Sequence, residues 1–329
     1  MSAGVVVPKK TQTKIKNSKA VLDLTSRIGA LVCRNPVTVA SGTFGTKDEY
    51  SKYVPYENLG AIITKTITVK PRRGNPMPRI CETPSGMLNA IGLQNKGLED
   101  FLEHKIPFFA KIAAPLIVNI AGETLDDFSK LTQALDKQSK VVRAIEINLS
   151  CPNVEHGGVS FLRKKERIYD IVRTVRSLTK LPLVAKLSPE LGDVLEIAEG
   201  VIREGVDGLS LINTLKGMAI DVRSGSPRLA NITGGLSGPA IRPVALRYVY
   251  EIKKHFQVPV IASGGIVSAQ DAMEFIIAGA ELVALGTANF INPASSMDVL
   301  QGIEVYCRER GIQALSEIRG SIHRHLNNH

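Results

Sequence analysis

Short, β-branched apolar runs recur along the chain, and each is followed by a segment with helical spacing. The runs fall at residues 37–41, 61–68, 116–121, 144–151, 183–188, 208–214, 260–265 and 282–287. They are mostly continuous rather than alternating, as expected of strands buried on both faces. Between them, Thr124 with Asp127 and Ser268 with Asp271 have the form of capping boxes that open helices. Leu195, Ala198, Val201 and Ile202 mark the apolar stripe of one helix, and Val244, Tyr248, Ile252 and Phe256 that of another. Eight such units predict an α/β fold, a single (β/α)8 TIM barrel. The alternative, a doubly wound open sheet, normally carries G-x-G-x-x-G after its first strand, and that pattern is absent.

Two stretches interrupt the alternation. Residues 20–34 predict an N-terminal hairpin that closes the bottom of the barrel. Residues 69–96 are rich in Pro and Gly and lack periodicity, which predicts a long active-site loop insertion.

Composition changes this picture little. The 329 residues carry 41 Lys+Arg against 31 Asp+Glu, a net +10. Lys9, Lys10, Lys14, Lys16 and Lys19 stand in an N-terminal stretch without an acid, and only Arg319 and Arg324 follow Glu317. Residues 20–317 therefore carry just +3. The expected organisation is a basic, flexible tail over 1–19, a catalytic domain over 20–315 and a C-terminal tail over 316–329, in which His323 and His325 face solvent. Such a distribution argues against a nucleic-acid partner. Val5 to Val7 is too short for a secretory core, and no apolar run reaches the ~18 residues of a membrane span. Cys33, Cys81, Cys151 and Cys307 form no C-x-x-C pair, so no disulfide framework, metal site or iron–sulfur cluster is expected, and the cytoplasm is the expected compartment.

In a parallel barrel the carboxyl ends of the strands build the active site. Read there, the chain presents Ser41 and Gly42, Lys65 and Thr66, Asn119, Asn148 to Cys151, Lys186, Asn213 and Thr214, Gly264 and Gly265, and Gly286 and Thr287. Each alone has a bland explanation; their convergence on one rim does not. The glycines end the seventh and eighth strands, where barrels commonly hold a phosphate on bare N–H groups, and Gly234 to Gly238 can add donors. A flavin mononucleotide or a phosphorylated substrate fits. A strand-end ammonium, Lys186, suits the negative charge of a reduced flavin, which leaves Lys65 for an anionic substrate. Cys151 reads either as a small buried hydrophobe or as a base or nucleophile on a loop that closes over the site.

The segments Asn148-Leu-Ser-Cys-Pro-Asn153, Thr64-Lys-Thr66, Gly86 to Asn95, Ala262 to Ile266 and Leu285 to Thr287 resemble the class 1 dihydroorotate dehydrogenases, over about residues 20 to 315. The resemblance implies an FMN barrel of pyrimidine biosynthesis that oxidises (S)-dihydroorotate to orotate. It implies that Cys151 takes the C5 proton while the C6 hydride passes to flavin N5. Lys65, Asn89, Asn148, Asn153, Asn213 and Thr214, with the backbone of Ala90, Ile91, Gly92 and Leu93, would hold the substrate. Ser41, Gly42, Lys65, Thr66, Asn119 and Asn148 would hold FMN from one side. Lys186, Ile212, Gly238, Gly264, Gly265, Gly286 and Thr287 would complete its site.

Residues 71–76, 82–84 and 91–95 look most like class 1B, the NAD-linked type, rather than the fumarate-linked class 1A. Class 1B implies a homodimer core joined by a second subunit carrying FAD and a [2Fe–2S] cluster, in a heterotetramer. The missing dinucleotide fingerprint and the scattered cysteines fit that division. Two rivals remain. A tRNA dihydrouridine synthase is also an FMN barrel with a strand-end Cys, but its Gly-Cys-Pro form is absent here. A non-catalytic phosphate-binding barrel would be colourless when purified.

Overall fold

The computed structural model describes residues 22–149 and 165–326. Eight parallel strands form one sheet: Val37–Val39, Ile62–Ile63, Leu116–Ile120, Val142–Asn148, Leu183–Lys186, Gly208–Leu211, Val260–Ser263 and Leu282–Leu285. Seven of them lie within an expected run, and the fourth, Val142–Asn148, starts two residues ahead of its run at 144–151. The sheet order follows the chain except that the last strand pairs with the first. The seam between first and second strands is closed by the Gly60 N–H, which donates to the Val37 carbonyl at 2.8 Å, and by the Thr38 hydroxyl, which donates to the Ala61 carbonyl at 2.8 Å. Helices cover the outside, as a (β/α)8 barrel requires.

Both expected capping boxes are present. Thr124 opens the helix Leu125–Asp136 and Ser268 opens Ala269–Ile277, each with its aspartate returning the bond to the cap. In Val194–Arg203 the buried face is Val194, Ile197, Ala198 and Val201. In Arg242–His255 it is Ala245, Val249 and Ile252, so the expected stripe is rotated, with Val244 and Tyr248 at its margin.

Two cores separate the inside of the barrel from its wall. Ile63, Ile117, Ala144, Val184, Ile261, Leu282 and Ala284 pack inward as one cluster, and the alternate residues join the helices. The N-terminal hairpin, Ser26–Ile28 with Leu31–Cys33, belongs to the inner cluster through Ile28, Leu31 and Cys33. It plugs the barrel at the amino ends of the strands. Gly208 admits the plug, because a Cβ there would stand 2.8 Å from Cγ2 of Ile28. Burial, with Glu281 adding to it, pushes the Cys33 thiol up to about 12, so this cysteine serves as packing.

The segment expected as an aperiodic loop is instead partly strand. Ile80–Thr83 and Gly86–Asn89 form a hairpin that joins Thr233–Ser237 and Leu215–Met218 in a four-stranded antiparallel sheet. Two insertions, after the second and sixth barrel strands, thus build one platform at the carboxyl end. No single-segment pattern reveals it, because the partners lie far apart in sequence.

The expected C-terminal tail also departs from expectation over its described part. Residues Leu315–Glu317 and Ser321–Leu326 form short helices. Arg319 pairs with Glu281 at 3.1 Å and donates to Ser26 Oγ at 2.8 Å, tying the chain end to the plug hairpin. The His323 ring, expected in solvent, stacks on Tyr250 at 4.9 Å. The expected N-terminal tail, 1–19, lies outside the described residues. Among the described residues no helix is long and apolar enough to cross a membrane.

Removing Arg319 leaves Glu281, whose side chain is only 20% exposed, without its partner. Arg319→Ala should therefore lower the unfolding free energy by about 2–3 kcal/mol, read as a shifted urea midpoint at unchanged slope.

Candidate active site

Side chains alternate across a strand, so the residue two beyond each inner apolar position also points inward. Applied to Ile63, Ile117, Ala144, Val184 and Ile261, this rule gives Lys65, Asn119, Glu146, Lys186 and Ser263. A polar layer thus lies directly on the apolar one. It is well shielded: Asn119 and Glu146 are fully buried and Lys186 is only 8% exposed. Asn119 Nδ2 donates to Glu146 Oε2, while Asn119 Oδ1 and Glu146 Oε1 are buried without a hydrogen-bond partner. Asn148 stands opposite Lys186 in register.

Lys65 is half-buried. Burial first, and the nearby Arg79 guanidinium second, hold its ammonium below the ordinary 10.5. A cavity of about 520 Å³ is lined by Lys65 together with Phe44, Tyr56, Phe101 and Phe109.

The expected substrate residues gather under the antiparallel platform. Asn89 lies opposite Gly235, and its Nδ2 donates to the Gly235 carbonyl at 3.2 Å. Thr214 presses on the same glycine, where a Cβ would fall 2.0 Å from Oγ1 of Thr214. The Thr214 N–H donates to Asn213 Oδ1 at 2.8 Å, which orients that amide. The segment from Ala90 to Leu93 is held by two residues that the sequence reading did not assign to the site. Asn75 Nδ2 donates to the Ala90 carbonyl at 3.0 Å, and Asn95 Nδ2 to the Leu93 carbonyl at 2.8 Å. They hold Leu93 at φ +55°, a conformation that a side chain resists by about 1–2 kcal/mol. The Pro- and Gly-rich composition around Asn75 was the available signal, but a turn asparagine is too common to stand out.

On the opposite side the glycine-rich ends converge. Gly265 sits at φ +75°, where a Cβ would lie 2.9 Å from both the Arg242 nitrogen and the Gly238 carbonyl. Thr287 Oγ1 donates to Ser237 Oγ at 2.8 Å, linking the eighth strand end to the platform. Ser41 Oγ and Thr66 Oγ1 are 3.3 Å apart. Gly42, at φ +83°, has only open space where a Cβ would stand. Ile212 follows the sixth strand, and its N–H donates to the Ser263 carbonyl at 3.0 Å. The structure brings these expected residues to one mouth. Cys151 and Asn153 lie outside the described residues. Glu146 was missed, since a lone acid in an apolar run carries no motif.

Fold and mouth together define a (β/α)8 barrel with a charged and polar carboxyl end. The family model described as Dihydroorotate dehydrogenase matches residues 23–306, and the chain belongs to that family. It is 50% identical over 302 residues to "Dihydroorotate dehydrogenase B (NAD(+)), catalytic subunit" of Desulforamulus reducens, covering 92% of this chain and 99% of that one. The protein of the same name from Geotalea uraniireducens is 48% identical over 300 residues, covering 91% of this chain and 98% of that one. Among solved structures, "Crystal structure of DHODH in complex with ferulenol from Eimeria tenella" is similar with a TM-score of 0.75 at 25% identity, covering 94% of this chain and 90% of that one.

The depressed Lys65 pKa has a consequence for stability. The folded protein releases this proton at lower pH than the unfolded chain does, so below both values the group contributes no pH dependence. Between the folded value and 10.5 the unfolded chain binds more protons, and stability rises with pH. Lys65→Met should remove that share of the alkaline gain. Urea midpoints from pH 8 upward test it, and parallel curves for both proteins would refute the burial effect.

Proposed function

We propose that this chain is the catalytic subunit of an NAD+-linked dihydroorotate dehydrogenase, which oxidises (S)-dihydroorotate to orotate in pyrimidine biosynthesis. The observation that carries the reading is the polar layer on the barrel's apolar floor, in a chain about half identical to relatives of that name. FMN is the expected cofactor, and the mouth suits it in two respects. Asn119 Oδ1 is an orphaned acceptor that a ligand N–H would satisfy. Gly42 leaves open the space that a Cβ would fill, so a flat group can approach its backbone.

Ser41, Gly42, Thr66, Asn119, Asn148, Lys186 and Ile212 would hold the ring of the cofactor, with Lys65 at its edge. Gly238, Gly264, Gly265, Gly286 and Thr287 would hold its phosphate. When bound, FMN supplies a two-electron acceptor for the hydrogen leaving C6 of the substrate. The Lys65 ammonium meets the substrate carboxylate, whose negative charge also favours the protonated form of this buried group. Asn89, Asn148, Asn153, Asn213 and Thr214 orient the ring, and the 90–93 backbone closes around it. Cys151 Sγ accepts the C5 proton, leaving a C5=C6 double bond. The base is the thiolate, which a cysteine with an ordinary value near ~8.5 supplies, and taking the C5 proton converts it to the thiol.

The relatives' printed name, catalytic subunit, supports a second subunit here. We assign FAD and a [2Fe–2S] cluster to it, in a heterotetramer around a homodimer core. Among the described residues Cys33, Cys81 and Cys307 are free and scattered, which suits a cluster held elsewhere. The cytoplasm is the compartment that the reading implies.

Cys151→Ser should slow flavin bleaching by dihydroorotate by about 10²–10⁴-fold near neutral pH, since an alcohol is a far weaker acid than a thiol. Unchanged single-turnover rates would remove Cys151 from the role. The chain on its own should bleach with dihydroorotate yet reduce NAD+ poorly, whereas rapid turnover with fumarate would assign it to the other acceptor class.

A further inference from the structure

Glu146 is fully buried on the strand Val142–Asn148, and among the described residues it has no ion-pair partner. Among the described residues its side chain has one hydrogen bond, from Asn119 Nδ2 to Oε2, and Oε1 has none. A buried acid with one oxygen left without a partner serves the fold less well than an apolar side chain of the same size would. Fold stability therefore does not account for it.

Its chemistry points to Asn119. A carboxylate accepts hydrogen bonds and does not donate them, so it captures the NH2 end of the facing amide. Asn119 and Glu146 are register partners on adjacent strands, which holds the two groups side by side. The other end of the amide, Oδ1, is then turned away from Glu146. That oxygen is buried and unpartnered, and it lies in the layer that the flavin reading assigns to the cofactor. The pyrimidine edge of an oxidised isoalloxazine carries two carbonyls and one N–H, at N3. An amide free to turn could offer either end to that edge, whereas a locked one offers only an acceptor.

We infer that Glu146 is a positioning residue, whose carboxylate locks the Asn119 amide with its carbonyl oxygen presented to the flavin N3–H. This rests on the flavin reading above. The lock gives the site a fixed preference for a donor at that edge, and it is made before the cofactor arrives.

The test uses holoenzyme loaded with 15N-labelled FMN. In the wild type the N3–H resonance should be hydrogen-bonded and protected from solvent exchange. Glu146→Leu should shift that resonance, speed its exchange and weaken FMN binding by tenfold or more. Glu146→Gln retains a carbonyl that can accept from Asn119 and should restore both. Asn119→Ala, with Glu146 in place, should reproduce the N3 change, and it serves if the leucine variant does not fold. An unaltered N3 signal in folded Glu146→Leu or in Asn119→Ala overturns the inference, as does a glutamine variant that behaves like leucine. A wild type that is colourless and takes up no FMN overturns the flavin reading itself, whereas a yellow wild type with indifferent variants overturns only the role of Glu146.

Discussion

Everything in this molecule depends on the closure of a parallel sheet around a space too narrow to stay empty. Once eight strands close, every second side chain faces inward, and the inward layers must pack. Ile63, Ile117, Ala144, Val184, Ile261 and Leu282 fill one layer with hydrocarbon, and the hairpin residues Ile28 and Leu31 seal it from below. The next layer up on the same strands has no such filling. It carries Lys65, Asn119, Glu146 and Lys186, so the fold itself sets polar groups on a dry floor. Charges placed there act through a low dielectric, where each counts for more than at a surface.

The lid of the site comes from a different source. Insertions after the second and sixth strands meet in an antiparallel sheet whose glycines allow contact without clearance. That contact places Asn89 and Thr214 against the same residue, Gly235. Gly265 at the seventh strand end and Thr287 at the eighth face the same platform, through Gly238 and Ser237. The mouth is thus bounded by barrel on one side and by inserted sheet on the other.

Much of this was legible along the chain. The strands announced themselves because residues buried on both faces must be apolar without alternation, and the capping boxes of Thr124 and Ser268 because helix ends need acceptors. Lys65, Asn119 and Lys186 were legible by position, as polar residues closing apolar runs. The platform was not, since Gly86–Asn89 and Thr233–Ser237 are paired across about half the chain and neither has a strong strand pattern alone. Nor was the anchoring of Arg319, which reads as a tail cation until Glu281 and Ser26 are brought beside it. The helix Arg242–His255 shows a finer limit: a stripe read by spacing was offset, because packing on the barrel wall chose the face with Ala245 and Val249.

The sequence by itself determined the number of β/α units, the strand ends that bear chemistry, and the family resemblance carried by the segment around Cys151. Those are local properties, written in periodicity and in short motifs. Only the tertiary structure decided which inward residues share a layer. It set Glu146 against Asn119 and left one oxygen of each without a partner. The reason is geometric. Which side chains meet across a barrel depends on the register between strands, and register is a relation among segments that no single segment contains.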